Sequence, residues 1–224
     1  MSKKIERHSF ILGAIGSAVS GITLMVATTN GYGSFMVNFF GRGVGLSGFL
    51  YRTWLIYLPV LAIGLIFADL GHRRFSKIYE NKPSYSFIYT TLTSILLIVS
   101  TGLIAQENQT SNIGGLDNYW NRFLFEDFNL GIAFGVLTLT IFALLGLIQL
   151  MWGRRYLHSY QNARNQKLTQ MNGLLHTMSG IILLFTISPV YLLVLQFLFF
   201  ISLLFLGTQI ISSLTFLTLR KNKT

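Results

Sequence analysis

Long apolar runs separated by short basic clusters constrain this chain more than any other feature of its sequence. Several of these runs exceed the roughly 18 residues that mark a membrane-spanning helix. Only 11% of the residues are charged, against about 25% in an ordinary soluble domain, so the chain has too little charge to cover a water-facing surface. The sequence therefore predicts an all-α integral membrane protein in which residues 1–224 form a single polytopic membrane domain.

Six apolar runs fit the sequence as transmembrane helices, and the predicted fold is a six-transmembrane-helix bundle. The runs cover residues 10–29, 49–70, 85–106, 130–152, 171–188 and 189–219. The last two meet at Pro189, where a tight turn is expected because the residue before a proline resists helical geometry. The alternative is a single kinked helix in place of these two, which gives five spans.

Basic residues gather at alternate ends of the predicted spans. All of them except Arg42, Arg52 and Arg122 lie before the first span, between the second and third, between the fourth and fifth, or after the last. Cytoplasmic loops carry an excess of Lys and Arg, so six spans with both termini in the cytoplasm place these four clusters on one side. Five spans would put the basic C-terminus outside. The pattern favours six spans, in what we interpret as the bacterial cytoplasmic membrane.

Charge and composition also exclude several classes of function. The net charge of +10 does not indicate nucleic-acid binding, because that needs basic residues gathered on one soluble face. The basic segments instead predict contact with anionic lipid, or with a cytoplasmic or membrane protein partner, besides the bilayer itself. The chain has no cysteine, which excludes disulfides and thiolate chemistry. Metal-ligand spacings and cofactor motifs are absent, so we expect no cofactor and favour a protein that is not an enzyme.

The inner ends of the second and fourth predicted spans resemble each other. Residues 61–81 and 143–162 share Gly-Leu-Ile, a later glycine, two arginines and an aromatic residue, so that Phe75 pairs with Tyr156. This predicts a tandem repeat of helical hairpins, spans two–three and four–five, a plan that in transporters places the substrate path at the repeat interface. The alternative is that inner helix ends share arginine and aromatic residues for topology alone. Trp152 and Tyr156 are interpreted as interface anchors.

Few polar side chains fall within the predicted spans, and these are the candidates for function because polar groups in hydrocarbon are costly and often functional. The candidate polar pathway consists of Asp69, Gln149, His176, Gln196 and Gln209 within the spans, together with His72 just beyond the second span. A proton or cation relay is one interpretation of these residues. The alternatives are a local ion pair between Asp69 and Arg73 and a hydrogen-bonded packing role for His176.

Small residues in and after the first span carry two further expectations. Gly13, Ser17 and Gly21 recur every four residues and share one helix face, which predicts a groove where another helix packs closely. Residues 30–48 form a glycine-rich segment that is too broken to span. We expect it to be an outer loop that lies on the surface or re-enters the membrane.

Architecture alone carries the expectation about function. We expect a solute transporter, or the membrane subunit of a transport or secretion complex. One alternative is a non-transporting interaction protein, such as an immunity or assembly factor, which predicts a tightly packed bundle. The other is an intramembrane enzyme acting on lipid, which predicts that Asp69, His72 and His176 converge at the inner leaflet.

Overall fold

Helices make up every regular element in the described part of the chain. The computed structural model describes residues 2–39, 46–80, 85–110, 128–185 and 198–220, and none of these residues is in a strand. The helices are α1 (Ser2–Phe39), α2 (Leu46–Tyr79), α3 (Ser86–Thr110), α4 (Phe128–Ser159), α5 (Gln166–Phe185) and α6 (Leu198–Arg220), and a 3-10 turn, Tyr160–Asn162, follows α4.

The six helices form a closed ring. Each helix packs against the next one along the chain, and α6 packs against α1 to complete the circle. Neighbours run antiparallel: the hydroxyl of Ser86 at the start of α3 bonds Asp69 near the end of α2, and Ser94 further along α3 bonds the carbonyl of Ala62. Because α5 and α6 also lie side by side, they are not two halves of one kinked helix.

Among the residues that the structure describes, three helices contain stretches that are long and apolar enough to cross a membrane. These are His8–Ala27 in α1, Leu55–Tyr79 in α2 and Phe200–Leu219 in α6. A shorter apolar stretch, Ser86–Gly102, lies in α3. The expectation of an all-helical membrane protein is therefore confirmed at the level of these helices.

α1, α2 and α4 extend furthest beyond the predicted spans. α1 continues to Phe39, through half of the glycine-rich segment that sequence analysis assigned to a loop. α2 continues to Tyr79 and α4 to Ser159, rather than ending near residues 70 and 152. A hydropathy pattern ends where the hydrocarbon ends, whereas helical hydrogen bonds can continue into the interface. His72 consequently lies on a helix and faces the core, not at the edge of a span.

Two helices, α3 and α5, present mainly apolar side chains outward and mainly small polar ones inward. On α3, Ile88, Ile95 and Val99 are exposed, whereas Thr90 and Ser94 are buried. α5 repeats this arrangement with an inward face of Thr169, Asn172, His176 and Ser179. An ordinary water-soluble helix buries its apolar face instead, so α3 and α5 have the inverse of that polarity.

Glycines bring two helix pairs into backbone contact. Between α1 and α2, a Cβ added to Gly13 would lie 2.6 Å from the Cα of Gly71. Between α4 and α5, a Cβ added to Gly180 would lie 2.8 Å from the carbonyl oxygen of Gly146. Small residues permit this close approach. Between helices in a membrane the hydrophobic effect contributes little, and van der Waals packing of this kind holds the helices together instead.

The two segments of the predicted repeat pack against different neighbours. Gly71 and Gly153 occupy matching places in the two sequence segments, yet Gly71 packs on α1 and Gly153 packs on Gly173 and Thr177 of α5. In a tandem repeat of hairpins, equivalent glycines would face equivalent neighbours. Phe75 and Tyr156 are both buried and lie against each other, with ring centroids 4.5 Å apart. The repeat stays a prediction, and the glycine contacts favour the topological alternative.

Candidate functional site

The interior of the ring contains two layers of different character. One is an apolar layer built mainly of leucines from α1–α6, with Leu65, Leu183 and Phe205 completely buried. The other lies toward the end of the bundle that carries the basic clusters and combines aromatic rings with polar groups. We define the polar cluster as His72, Gln149, Tyr156, Asn172, His176 and Ser212, all of which are buried.

His176 on α5 is the centre of the polar cluster. Its Nδ1 is hydrogen-bonded to the side-chain oxygen of Gln149 on α4, and its Nε2 lies 2.7 Å from Oγ of Ser212 on α6. Ser212 is also 2.9 Å from Oδ1 of Asn172, one turn before His176. Three helices therefore meet through one continuous chain of hydrogen bonds.

His72 on α2 joins the cluster from the opposite side. The hydroxyl of Tyr156 lies 2.8 Å from His72 Nδ1. The His72 imidazole stacks on the indole of Trp152, and its centroid is 5.2 Å from that of His176, with the two imidazoles nearly perpendicular. Phe216 of α6 packs edge-on against the same imidazole. The two histidines therefore share one pocket of aromatic rings.

The hydrogen-bond chain through His176 can run in either direction. A neutral imidazole has one N–H and one acceptor nitrogen, and a serine has a single proton to donate. If Ser212 donates to Asn172, then His176 Nε2–H donates to Ser212 and Gln149 must turn its amide to donate to Nδ1. If Ser212 donates to His176, then Asn172 turns its amide and Nδ1–H donates to Gln149. Exchange between the two arrangements transfers a proton between the ring nitrogens.

Several buried polar atoms of the cluster have no hydrogen-bond partner among the described residues. These atoms are His72 Nε2, Gln149 Nε2 and Asn172 Nδ2. Burying such a group without a partner costs about 1–3 kcal/mol, and native proteins tolerate this mainly where water or a ligand binds. The cluster thus has more hydrogen-bonding capacity than its own side chains use.

Asp69 lies one turn before His72 on α2. Its carboxylate accepts a 2.6 Å hydrogen bond from Ser86 and lies 2.9 Å from Nε of Arg73. Arg73 also lies over the ring of Phe87 at 4.6 Å. The ion pair expected from the sequence is present, and its carboxylate is almost completely buried whereas the arginine reaches the surface.

Beyond the cluster, a second group of polar residues joins the C-terminal end of α2 to the C-terminal end of α4. Glu80 accepts hydrogen bonds from Ser76 on its own helix and from Ser159 at the end of α4. Arg155 lies near Glu80 and Asp69. Burial lowers the pKa of the Arg155 guanidinium, and the two carboxylates oppose that shift. The guanidinium stays charged, because arginine does not lose its proton in proteins.

The structure distributes the predicted polar pathway unevenly. His72, Gln149 and His176 meet in the polar cluster, while Asp69 is next to it. Gln209 is buried but packs against Gly21 on α1, and neither of its amide atoms has a partner among the described residues. Gln196 lies outside the described residues.

The helix-packing residues of α1 face two different neighbours. Gly13 contacts α2 and Gly21 contacts α6, while Ser17 is completely buried. Gly16, which the four-residue spacing omits, packs against Gly64 and Ala68. The predicted single groove is therefore two contact faces on one helix.

Two aromatic residues were assigned the wrong environment, and two polar ones were missed. Trp152 and Tyr156 are not interface anchors: both are buried in the core at 0% and 1% exposure. Their spacing with Gln149, at i, i+3 and i+7, places all three on one face of α4. Asn172 and Ser212 could have been found from the same helical spacing, four residues from His176 and three from Gln209.

A basic groove lies at the end of the bundle that carries the basic clusters. It has a volume of about 440 Å³ and is lined by Arg164, Lys167 and Thr218 together with the start of α5. Asn165 caps that helix by accepting a hydrogen bond from the backbone N–H of Leu168. The groove is open to the surface and is not part of the buried cluster.

The fold and site define an all-helical chain with membrane-type helices around a buried histidine-containing cluster. Comparison with models of protein families, with curated proteins and with solved structures finds no match to this chain. Among the described residues, no group of three or more histidine or acidic side chains is placed to hold a metal ion.

Proposed function

We propose that this chain is a six-span protein of the bacterial cytoplasmic membrane that moves a small polar solute, alone or as the membrane subunit of a transport or secretion complex. The observation that carries this proposal is the polar cluster, in which buried side chains from three helices, α2, α4 and α5, offer unused hydrogen-bonding atoms. A purely structural network would be expected to satisfy its own members. A polar solute or a file of water molecules would satisfy these atoms as it passes.

The inverted polarity of the helices supports six spans. α3 and α5 expose Leu92 and Ile95, and Leu174, Met178 and Ile181, toward the surround. In a six-membered ring, each helix has neighbours on two sides and an outer face in lipid. If α3 and α5 stayed outside the membrane, these apolar faces would meet water.

The basic clusters support an orientation with both termini in the cytoplasm. The end of α2 with Lys77, the end of α4 with Arg154 and the start of α5 with Lys167 lie at one end of the antiparallel ring. That end also includes the start of α1 and the end of α6, since Phe10 stacks with Phe216. An excess of positive charge on one side is the usual mark of the cytoplasmic face.

The lipid-enzyme alternative gains one observation and loses another. His72 and His176 do lie together, as that alternative requires. Both imidazoles are buried, at 2% and 0% exposure, inside the ring and away from its lipid-facing surface. A lipid substrate has no contact with them in this arrangement, so we favour transport.

Because the chain has no native cysteine, single cysteines test the proposal directly. Ser212→Cys places a thiol in the polar cluster, and Ser94→Cys places one between α2 and α3, away from it. We expect a small charged thiosulfonate reagent to label Ser212→Cys in membrane vesicles and to leave Ser94→Cys unlabelled. Failure to label either residue would indicate a sealed bundle and support an interaction protein instead.

Purification in mild detergent, with mass spectrometry of bound proteins and small molecules, separates the two forms of the proposal. A stoichiometric partner identifies a subunit of a complex. A lone protein with a defined solute identifies an autonomous transporter. A lone protein with no bound solute and an unlabelled Ser212→Cys would contradict both.

A further inference from the structure

The ring divides into two groups of closely packed helices. α1 packs on α2 through Gly13 and Gly71 and extensively on α6, and α2 packs on α3. We call α6, α1, α2 and α3 the four-helix body. α4 and α5, joined through Gly146 and Gly180, form the two-helix body. Packing between the bodies is less extensive and lies mainly along two seams, α3–α4 and α5–α6.

The polar cluster lies on the boundary between these bodies. The contacts of Ser212 with His176 and with Asn172 cross from α6 to α5. The contact between Tyr156 and His72 crosses from α4 to α2. At the polar cluster the boundary consists of polar contacts that water can replace, while the apolar layer and the His72–Trp152 stack also cross it. The α1–α2 and α4–α5 pairs are instead held by backbone-to-backbone packing that water cannot replace.

Each body contributes one histidine to the boundary. His72 belongs to the four-helix body and His176 to the two-helix body, and their ring centroids are 5.2 Å apart. Two imidazolium charges at this separation would repel strongly in a poorly polarisable interior. The histidine pair can therefore bind one proton when water enters the boundary between the two bodies. When the bodies are closed on each other, binding even one proton is unfavourable.

We propose that the ion coupled to the activity of this protein is the proton, and that the His72–His176 pair is its binding site. This inference rests on the proposed transport function. A hydronium ion gives its proton to one imidazole nitrogen and leaves as water. The resulting imidazolium needs hydration, which it obtains only when the two-helix body separates from the four-helix body. By linkage, protonation favours the separated arrangement and proton release favours the closed one.

The charged and titratable groups around the pair are compatible with this role. Tyr156 and Arg155 approach from α4, and Asp69 with its partner Arg73 lies on α2. α6 meets the pair with Ser212 and the ring of Phe216. Neither imidazole bonds a carboxylate among the described residues, so neither has a fixed counter-charge that would hold a proton in the closed arrangement.

Cysteine accessibility as a function of pH tests the inference. Thr208→Cys on α6 reports on the α5–α6 seam, because the Thr208 hydroxyl lies against the carbonyl of Leu175. Ser20→Cys, buried between α1 and α2 within the four-helix body, is the matched control. Labelling rates with N-ethylmaleimide are measured between pH 7.5 and 5.5 in vesicles. Each rate is divided by that of the same cysteine in a His72→Gln/His176→Gln background, which cancels the pH dependence of the thiol.

We expect the corrected rate for Thr208→Cys to rise as the pH falls, by up to about tenfold per pH unit for one coupled proton. Ser20→Cys should show no rise. His158→Gln, which removes an exposed histidine on α4, should leave the rise unchanged. NMR of the imidazole resonances in the wild-type protein adds a measurement without substitutions in the cluster. Once His8 and His158 are assigned, the remaining histidine resonances should shift over the same pH range in which the labelling rate of Thr208→Cys rises.

Other outcomes separate the two proposals. Thr208→Cys could be labelled rapidly at every pH, at the same rate with and without the two histidines. That result would show that the α5–α6 seam opens without a proton. It would overturn this inference but not the proposed transport function. No labelling of Thr208→Cys or Ser212→Cys at any pH would overturn both. If the uncorrected labelling rate of Thr208→Cys also rises with falling pH when both histidines are glutamine, the proton binds to another group, and the inference is overturned.

Discussion

The imidazole of His72 stacks on the indole of Trp152, with ring centroids 3.7 Å apart and planes 13° from parallel. The two residues come from α2 and α4, which run parallel and touch mainly around this stack and the adjacent Tyr156. Trp152 is completely buried and His72 is 2% exposed. The boundary between the two bodies therefore includes this aromatic stack as well as the polar cluster.

Trp152 provides a direct check on this packing. The chain has three tryptophans, so Trp54→Phe/Trp120→Phe leaves Trp152 as the sole indole fluorophore. We expect blue-shifted emission and little quenching by acrylamide, because a buried indole does not meet water or quencher. Red-shifted and strongly quenched emission would contradict the placement of Trp152 in the core. Trp152→Phe in the wild-type chain should remove the protected component.

Removing the central imidazole should destabilise the bundle. His176→Ala leaves the side-chain oxygen of Gln149 without its partner and removes one of the two hydrogen bonds of Ser212. Each buried group left unsatisfied costs about 1–3 kcal/mol. The measurement is the free energy of unfolding in bicelles or mixed micelles. His158→Ala, at an exposed position of α4, is the control and should change stability by about 0.5 kcal/mol or less. Equal effects of the two substitutions would show that the network contributes nothing to stability.

Glycine-to-alanine substitutions should separate the packed faces of the helices from the lipid faces. Gly71→Ala and Gly180→Ala insert a methyl group against a neighbouring backbone and should destabilise by about 1–3 kcal/mol. Gly102 and Gly207 have nothing within 4 Å of an added Cβ, so alanine there should be tolerated. Thermal unfolding followed by circular dichroism is sufficient. Comparable losses at all four positions would argue against the close pairing of α1 with α2 and of α4 with α5.

Topology can be measured with two further single cysteines. His158→Cys lies at the exposed inner end of α4, and Thr224→Cys is at the C-terminus. If six spans place both on the cytoplasmic side, a membrane-impermeant maleimide should label them in inside-out vesicles and not in intact cells. Five spans would expose Thr224→Cys to the outside while leaving His158→Cys inside. Labelling of the two residues from opposite faces would therefore remove the six-span proposal.

Hydropathy predicts the helices well and their ends poorly. Six apolar runs correspond in order to six helices, because a run of this length has few ways to satisfy its backbone in lipid except as a helix. The inner ends were placed too early, since α2 and α4 continue past the apolar runs to Tyr79 and Ser159. A helix needs no apolar side chains to continue, only unbroken backbone hydrogen bonds. This error put His72 in the wrong environment.

The site was predictable in its members more than in its arrangement. Gln149 and His176 were found because bulky polar groups are rare in apolar runs. Ser212 and Asn172 were not, because serine and asparagine are less conspicuous in such segments. The contact between His176 and Ser212 joins residues 36 positions apart and depends on α6 closing the ring. Residues on different helices come together through packing that hydropathy does not encode.

The inward polar face of α5 has a consequence for how the protein is made. Thr169, Asn172, His176 and Ser179 make one face of this helix polar, so it partitions into lipid less readily than a helix that is apolar all round. The preceding helix α4 supplies the glycine face that receives it. We expect α5 to enter the bilayer only as a hairpin with α4, after α4 has left the ribosome and before α6 is complete. Biogenesis of the boundary histidine site thus depends on the timing of a single helical hairpin.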